Sequence, residues 1–328
     1  MASGSTGNWR RELKFRTALR FRKMRHWLVA KLAIGIMSVL RLLPPDSALN
    51  FAGRVARRIG PLTGRHRLTL DNLRHAYPEK SEAEIEAIAL DMWGNMAKLG
   101  AEYIFLDKLF DLDPWSDKPG RIEVSKESIA LFERIAADSH RPHIIFTGHL
   151  GNFELLPVAA ATFGMKVTAL FRPPNNPYIA EYIQSMRASN MGALLPSLSG
   201  ASFALASILD QGGNVGVLVD QKFISGLETT FFGRTCQTNP LLGMLARHYD
   251  CDVYPARCVR LPGNRYRLEI EEKLDLPRGP KGNVDVKATT QLVTDVVERW
   301  VREDPGQWMW FHKRWQLSGR RRTIRGRN

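Results

Sequence analysis

From His143 onward the chain alternates short β-rich runs with helical ones, and that alternation points to an α/β sheet with helices packed on its faces. HIIFTG (143–148) reads as a buried strand, FELLPVAAATFG (153–164) as a helix and KVTALF (166–171) as the next strand. NPYIAEYIQSMRAS (176–189) and SFALASILDQG (202–212) read as helices, NVGVLVDQ (214–221) as a further strand and NPLLGMLARHY (239–249) as a helix. DVYPARCVRL (252–261) and RYRLEIEEKL (265–274) suit an antiparallel pair, and VKATTQLVTDVVERWVRE (286–303) a closing helix. Upstream, residues 67–106 place Leu68, Leu73, Ile85, Ile88, Met92, Met96 and Leu99 near helical spacing, and Ser81 with Glu84 makes a capping box. The expected fold class is α/β: a mixed central sheet covered by helices, with a helical N-terminal segment that associates with membranes. Residues 44–316 form the main domain, residues 1–43 a basic leader and anchor, and residues 317–328 a basic tail.

Charge is concentrated at the two ends. Residues 1–25 carry a net +7 and residues 313–328 another +7, which is the whole of the formal +14; residues 26–312 balance to zero. Such arms suit an anionic bilayer, where each nearby Lys or Arg contributes on the order of 1 kcal/mol, or a nucleic-acid backbone. A solvated terminus that binds nothing would have the same composition. The body shows no aromatic-rich basic groove, zinc-finger spacing or RNA-recognition motif, so nucleic acid is not the expected partner. Cys236, Cys251 and Cys258 are odd in number and form no Cys-x-x-Cys pair, which indicates neither a disulfide framework nor a zinc site and fits a reducing compartment.

His26 to Leu43 is the apolar stretch near the start, but Lys31 and Arg41 leave only LAIGIMSVL uninterrupted. A membrane span needs about 20 apolar residues. The leader is also too long and basic, and the apolar run too short, for a signal peptide. An interfacial or re-entrant anchor is the expectation, with an ordinary helix packed on the domain as the alternative.

The segment most suggestive of chemistry is TGHLGNFELLP (147–157). A strand ends near His149, the chain passes Gly151 and Asn152, and a helix begins; ligands collect at such carboxyl ends of strands in open α/β sheets. On a continuous helix His149 and Glu154 would stand about 140° apart and could not meet. With His149 in the loop and Asn152 as N-cap, Glu154 in the first turn can reach back to the imidazole. A carboxylate so placed would fix the tautomer while the other ring nitrogen takes a proton from a hydroxyl. The plainer alternative is a helix-dipole glutamate beside a capped core histidine. Asp220, Gln221 and Lys222 follow NVGVLVD at another carboxyl end and are expected to line the same cleft. No Gly-x-Ser-x-Gly elbow occurs and no cysteine has a nucleophile's context, so a direct transfer without a covalent intermediate is the simpler expectation.

TGHLGNFE, FRPPNNP (171–177), DQK (220–222), FFGR (231–234) and DPGQWMWFHKRW (304–315) occur in this order, and together they resemble the lauroyl/myristoyl (late) acyltransferases of lipid A biosynthesis. These lie within the wider His-x4-acid glycerolipid acyltransferase superfamily, and the resemblance covers about residues 60–316. It implies an acyl carrier protein as donor, a phosphorylated glycolipid of the Kdo2-lipid A precursor type as acceptor, and a place on the cytoplasmic face of the inner membrane. It implies no metal or other cofactor.

Carried onto this sequence, the resemblance makes His149 the base and Glu154 its partner. Arg172 becomes a phosphate ligand, with Asn175 and Asn176 ordering its loop and Arg234 a second phosphate candidate. Backbone amides near Gly151 and Asn152 become candidates to hold the oxyanion. Phe231, Phe232 and Gly233 would border an acyl tunnel. Trp308, Trp310 and Trp315 would lie at headgroup level while His312, Lys313 and Arg314 face phosphates. A related acyltransferase with another glycolipid or phospholipid acceptor, a thioesterase using water, and a non-catalytic basic adaptor at the membrane surface are the alternatives.

Overall fold

The computed structural model describes residues 6–315 except 117, 119, 139–140, 172–173, 188–192, 198–199 and 250; Arg172 and the tail at 317–328 lie outside the described residues. Five helices come first: α1 (Thr6–Leu40), α2 (Pro45–Ile59), α3 (Gly64–Ala76), α4 (Glu82–Glu102) and the short α5 (Leu106–Leu109). The α/β part follows as β1 (Ile122–Val124), α6 (Lys126–Ala137), β2 (His143–Thr147), α7 (Leu155–Thr162), β3 (Val167–Phe171), α8 (Pro177–Arg187), β4 (Leu194–Pro196), α9 (Ala201–Asp210) and β5 (Asn214–Leu218). It closes with β6 (Lys222–Phe231), β7 (Arg234–Thr238), α10 (Leu241–Tyr249), β8 (Asp252–Leu261), β9 (Arg265–Ile270) and α11 (Val286–Glu303).

Seven strands form one sheet in the order β1-β9-β8-β2-β5-β3-β4, parallel at every pairing except β8 with β9. The mixed α/β sheet covered by helices and the antiparallel β8/β9 pair match the expectation. The central strands are apolar on both sides because helices cover both faces. Ile144 and Phe146 of β2 pack with Val215 and Val217 of β5 against α11, where Val293, Val297 and Trp300 are buried. On the opposite face Ile145 joins Phe132 of α6 and Leu155 and Ala159 of α7.

Residues 67–106 are helical as expected, and the capping box divides them into α3 and α4. The chain turns between Tyr77 and Ser81, and Ser81 and Glu84 bond reciprocally as a capping box at the start of α4. The two-stranded β6/β7 hairpin breaks the βα alternation. Phe232 and Gly233 sit at its tip with φ of 50° and 67°, the positive values a tight hairpin turn demands.

α1 lies along the body. Its inner face carries the buried Ala30 and the half-buried Ile34, Met37 and Leu40; the His26 carbonyl accepts from Asn176 Nδ2 at 2.7 Å, and Arg41 pairs with Asp107. Leu28, Leu32, Ile36 and Val39 fall on the opposite face, exposed, at spacings of three and four residues. Among the described residues no helix is long and apolar enough to cross a membrane.

Candidate active site

β2 and β5 are adjacent parallel strands in which Thr147 is paired with Leu218. Extending that register by two residues brings His149 opposite Asp220, so the fold itself places an imidazole beside a carboxylate. His149 Nδ1 is 2.7 Å from Asp220 Oδ1, and the His149 backbone N–H donates to Asp220 Oδ2 at 2.7 Å. The indole N–H of Trp308 donates to the same Oδ2 at 2.7 Å. The Asp220 side chain is 3% exposed and that of His149 15%. Burial pushes the Asp220 carboxyl up, but the charge of His149 and the hydrogen bonds from its ring, its backbone and Trp308 outweigh this and hold it well below the usual carboxylate range. An ionised Asp220 on Nδ1 keeps the proton there and leaves the Nε2 lone pair facing the cleft.

Glu154 does not occupy that position. It precedes α7, accepts a hydrogen bond from the Tyr103 hydroxyl and lines an apolar cavity. The carboxylate on His149 Nδ1 therefore comes from the neighbouring strand end, where the β2–β5 register delivers Asp220, and the expected local pairing through Glu154 is corrected accordingly.

The loop between β2 and α7 is fixed by close backbone contact. Gly151 has φ of 57°, and a Cβ there would fall 1.8 Å from the Cys258 carbonyl oxygen. Its N–H donates to the Gln307 carbonyl at 3.1 Å and that of Asn152 to the Cys258 carbonyl at 3.3 Å. Both amides are thus committed to the scaffold, which corrects their expected role as oxyanion donors. Asn152 accepts from the Glu154 N–H through Oδ1 and donates through Nδ2 to Glu102 at 2.8 Å. Glu102 is buried and is bridged by Arg260 and the Tyr266 hydroxyl.

His149 opens on a cleft of about 380 Å³ lined by Leu170, Phe171, Ser197, Gln221, Lys222 and Asn239, among others. Leu170, Phe171 and Leu218 also wall a second, almost wholly apolar cavity that runs past Phe146, Phe153, Ala160 and Gly216 to Phe132. The polar cleft and the apolar cavity therefore adjoin across shared side chains.

Of the other sequence candidates, Gln221 places its amide nitrogen 3.0 Å from His149 Nε2, and Lys222 lines the cleft. Asn175 is exposed in a bend. Asn176 spends its side chain on the α1 carbonyl and on the Tyr178 N–H at the start of α8, so it tethers helices rather than presenting a ligand. Arg234 stacks on Trp315, its centre 5.0 Å from the ring.

Arg314 is buried and donates to the carbonyls of Gln221 and Gln237 and to Thr238 Oγ1, so it clamps the strand end and does not face a phosphate. His312 is pushed down to about 4, first by burial, near Asp220 and His149; a neutral imidazole is a poor phosphate ligand. Trp308, Trp310 and Trp315 are buried together with Phe231 and Phe232, not arrayed at an interface, and Phe231 and Phe232 are core rather than tunnel walls. Lys313 remains exposed.

The contact of Trp308 with Asp220 has no signal in the sequence, because no spacing rule links an indole to a carboxylate 88 positions away. Asp220 had a signal in its position, two residues past β5 as His149 is past β2. Burial pushes the Cys258 thiol up to about 12, which makes it a poor nucleophile. Among the described residues no three His, Cys, Asp or Glu side chains group as a metal site.

Residues 14–317 match the family described as bacterial lipid A biosynthesis acyltransferase. The chain is 26% identical over 300 residues to a lipid A biosynthesis myristoyltransferase of Escherichia coli (strain K12), covering 89% of this chain and 88% of that protein. It is equally similar, over the same shares, to lipid A biosynthesis acyltransferase 1 of Shigella flexneri.

Proposed function

Because the chain belongs to the bacterial lipid A biosynthesis acyltransferase family, and is therefore an O-acyltransferase of late lipid A acylation, we propose a specific reaction for it. It moves a fatty acyl chain from acyl-(acyl carrier protein) to a hydroxyl of a Kdo2-lipid A precursor. The observation that carries this reading is the His149–Asp220 pair, whose imidazole lines a polar cleft that shares the walls Leu170, Phe171 and Leu218 with an apolar cavity.

In this reading His149 Nε2 takes the proton of the acceptor hydroxyl as its oxygen attacks the thioester carbonyl, and Asp220 stabilises the imidazolium that forms. The tetrahedral intermediate collapses with loss of the carrier thiolate, which recovers the proton from His149, so the products are an ester and a thiol. The acyl chain lies in the apolar cavity, where burying each methylene contributes about 0.8 kcal/mol. Glu154 is not the partner of the base in this reading; it lines the apolar cavity.

The enzyme works at the cytoplasmic face of the inner membrane. Support comes from the exposed apolar stripe of α1 and the cationic leader beside it, which suit an anionic surface. The same positive charge suits an acidic carrier protein.

The test is incubation of the purified protein with labelled acyl-(acyl carrier protein) and a Kdo2-lipid A precursor in detergent. Label is expected in the lipid with the wild type and at least a hundredfold less with His149→Ala. Release of free fatty acid alone would reassign the protein as a thioesterase, and equal transfer by both proteins would remove His149 from the chemistry.

A further inference from the structure

With the Asp220 carboxylate on Nδ1, the lone pair of His149 is at Nε2, and the atom facing it is the amide nitrogen of Gln221 at 3.0 Å. That amide donates its N–H to the lone pair that must accept the substrate's proton. The base is occupied in this state, and no hydroxyl can use it until the Gln221 side chain turns away.

The two ends of Gln221 are held differently. Its carbonyl accepts from Arg314 at 3.1 Å, and Arg314 is 1% exposed, so the backbone is fixed. Its side chain is half-buried and lines the open cleft, where rotation about three torsions can move the amide off the imidazole. Displacement requires a ligand with more affinity for the open arrangement than for the closed one. Water replaces one hydrogen bond with another and has no further contact to contribute. A lipid-linked sugar brings binding energy from the rest of its structure, which can be used to displace the amide and present its hydroxyl.

We propose that Gln221 is a specificity-determining residue that withholds the general base from water and yields it to the glycolipid acceptor. The proposal rests on the acyl-transfer reading above. Without it, His149 would also activate water, which would attack the thioester and release fatty acid and carrier thiol. With it, hydrolysis is suppressed by the hydrogen bond that water must replace, and up to about tenfold is the size such a bond supports.

The test compares wild type, Gln221→Met, which keeps the length and loses the donor, and Gln221→Asn, whose amide is too short to reach Nε2. Two quantities are measured, with equal thermal unfolding as the check on folding. The first is the rate at which diethylpyrocarbonate modifies His149, followed by mass spectrometry, which reports access to the lone pair without any acyl substrate. The second is the ratio of lipid transfer to free fatty acid release from lauroyl-(acyl carrier protein). Both variants are expected to raise the modification rate several-fold and to lower the transfer-to-hydrolysis ratio several-fold, by up to about tenfold. An unchanged modification rate overturns the proposal, as does faster modification with an unchanged ratio. Faster modification with no thioester turnover by the wild type refutes the acyl-transfer reading itself, and the discrimination against water falls with it.

Discussion

His149 owes its chemistry to three residues far away in the chain. Asp220 sets its tautomer, Trp308 fixes Asp220, and Arg314 fixes the backbone of Gln221. His149 itself was legible, because it follows a buried strand and precedes glycine and a helix start. Its carboxylate partner was sought locally at Glu154, since sequence spacing reports neighbours along the chain and not across a sheet. The half-buried His312 carries a pH signature. It is held down to about 4 by burial against an ordinary value of 6.5, so the unfolded chain binds the extra proton between these values. Stability is therefore unaffected by this group above about pH 6.5 and is lost as pH falls toward 4, by at most about 3 kcal/mol. Urea unfolding from pH 7.5 to 4.5 is expected to show that slope, and His312→Asn to flatten it.

At the scale of elements, the β2–β5 register and the β2–α7 loop make the site. β2, β3, β5, β8 and β9 are readable from their apolar runs, and so are α7 to α11; the three-residue β1 and β4 and the half-exposed β6/β7 hairpin carry no such run. Strand order is not readable, because parallel neighbours are chosen by packing of the crossover helices rather than by any local turn signal. The loop is braced by the buried Glu102–Arg260 pair acting through Asn152, an ion pair whose partners lie 158 positions apart. Removing one member leaves a buried charge unpaired, at a cost of about 3–5 kcal/mol. Glu102→Ala is therefore expected to lower stability by several kcal/mol in chemical denaturation. Replacing the pair together, as Glu102→Leu with Arg260→Met, should recover much of that loss. A double variant as unstable as the sum of the singles would contradict this account.

For the whole molecule, half of the net charge lies at the N-terminus together with the exposed apolar stripe of α1. The buried tryptophans of residues 308–315 correct the expectation of an aromatic belt there, because their indole groups complete the core and the Asp220 contact. The membrane-facing candidate is instead the outer stripe of α1. Leu28→Ser with Leu32→Ser and Ile36→Ser should reduce binding to phosphatidylglycerol vesicles at least tenfold. Added salt should weaken binding of the wild type as the arms are screened. Binding insensitive to both changes would place the membrane contact elsewhere.

The central claim is that Asp220, and not Glu154, is the partner that makes His149 a base. The most direct measurement is lipid transfer from acyl-(acyl carrier protein) by Asp220→Asn and Glu154→Gln, with the ring nitrogen shifts of His149 read by ¹⁵N NMR in each. Asp220→Asn is predicted to move the proton from Nδ1 to Nε2 and to cut transfer by about a thousandfold or more. Glu154→Gln is predicted to leave the tautomer intact whatever its effect on rate. A tautomer that follows Glu154 and ignores Asp220 would contradict the account.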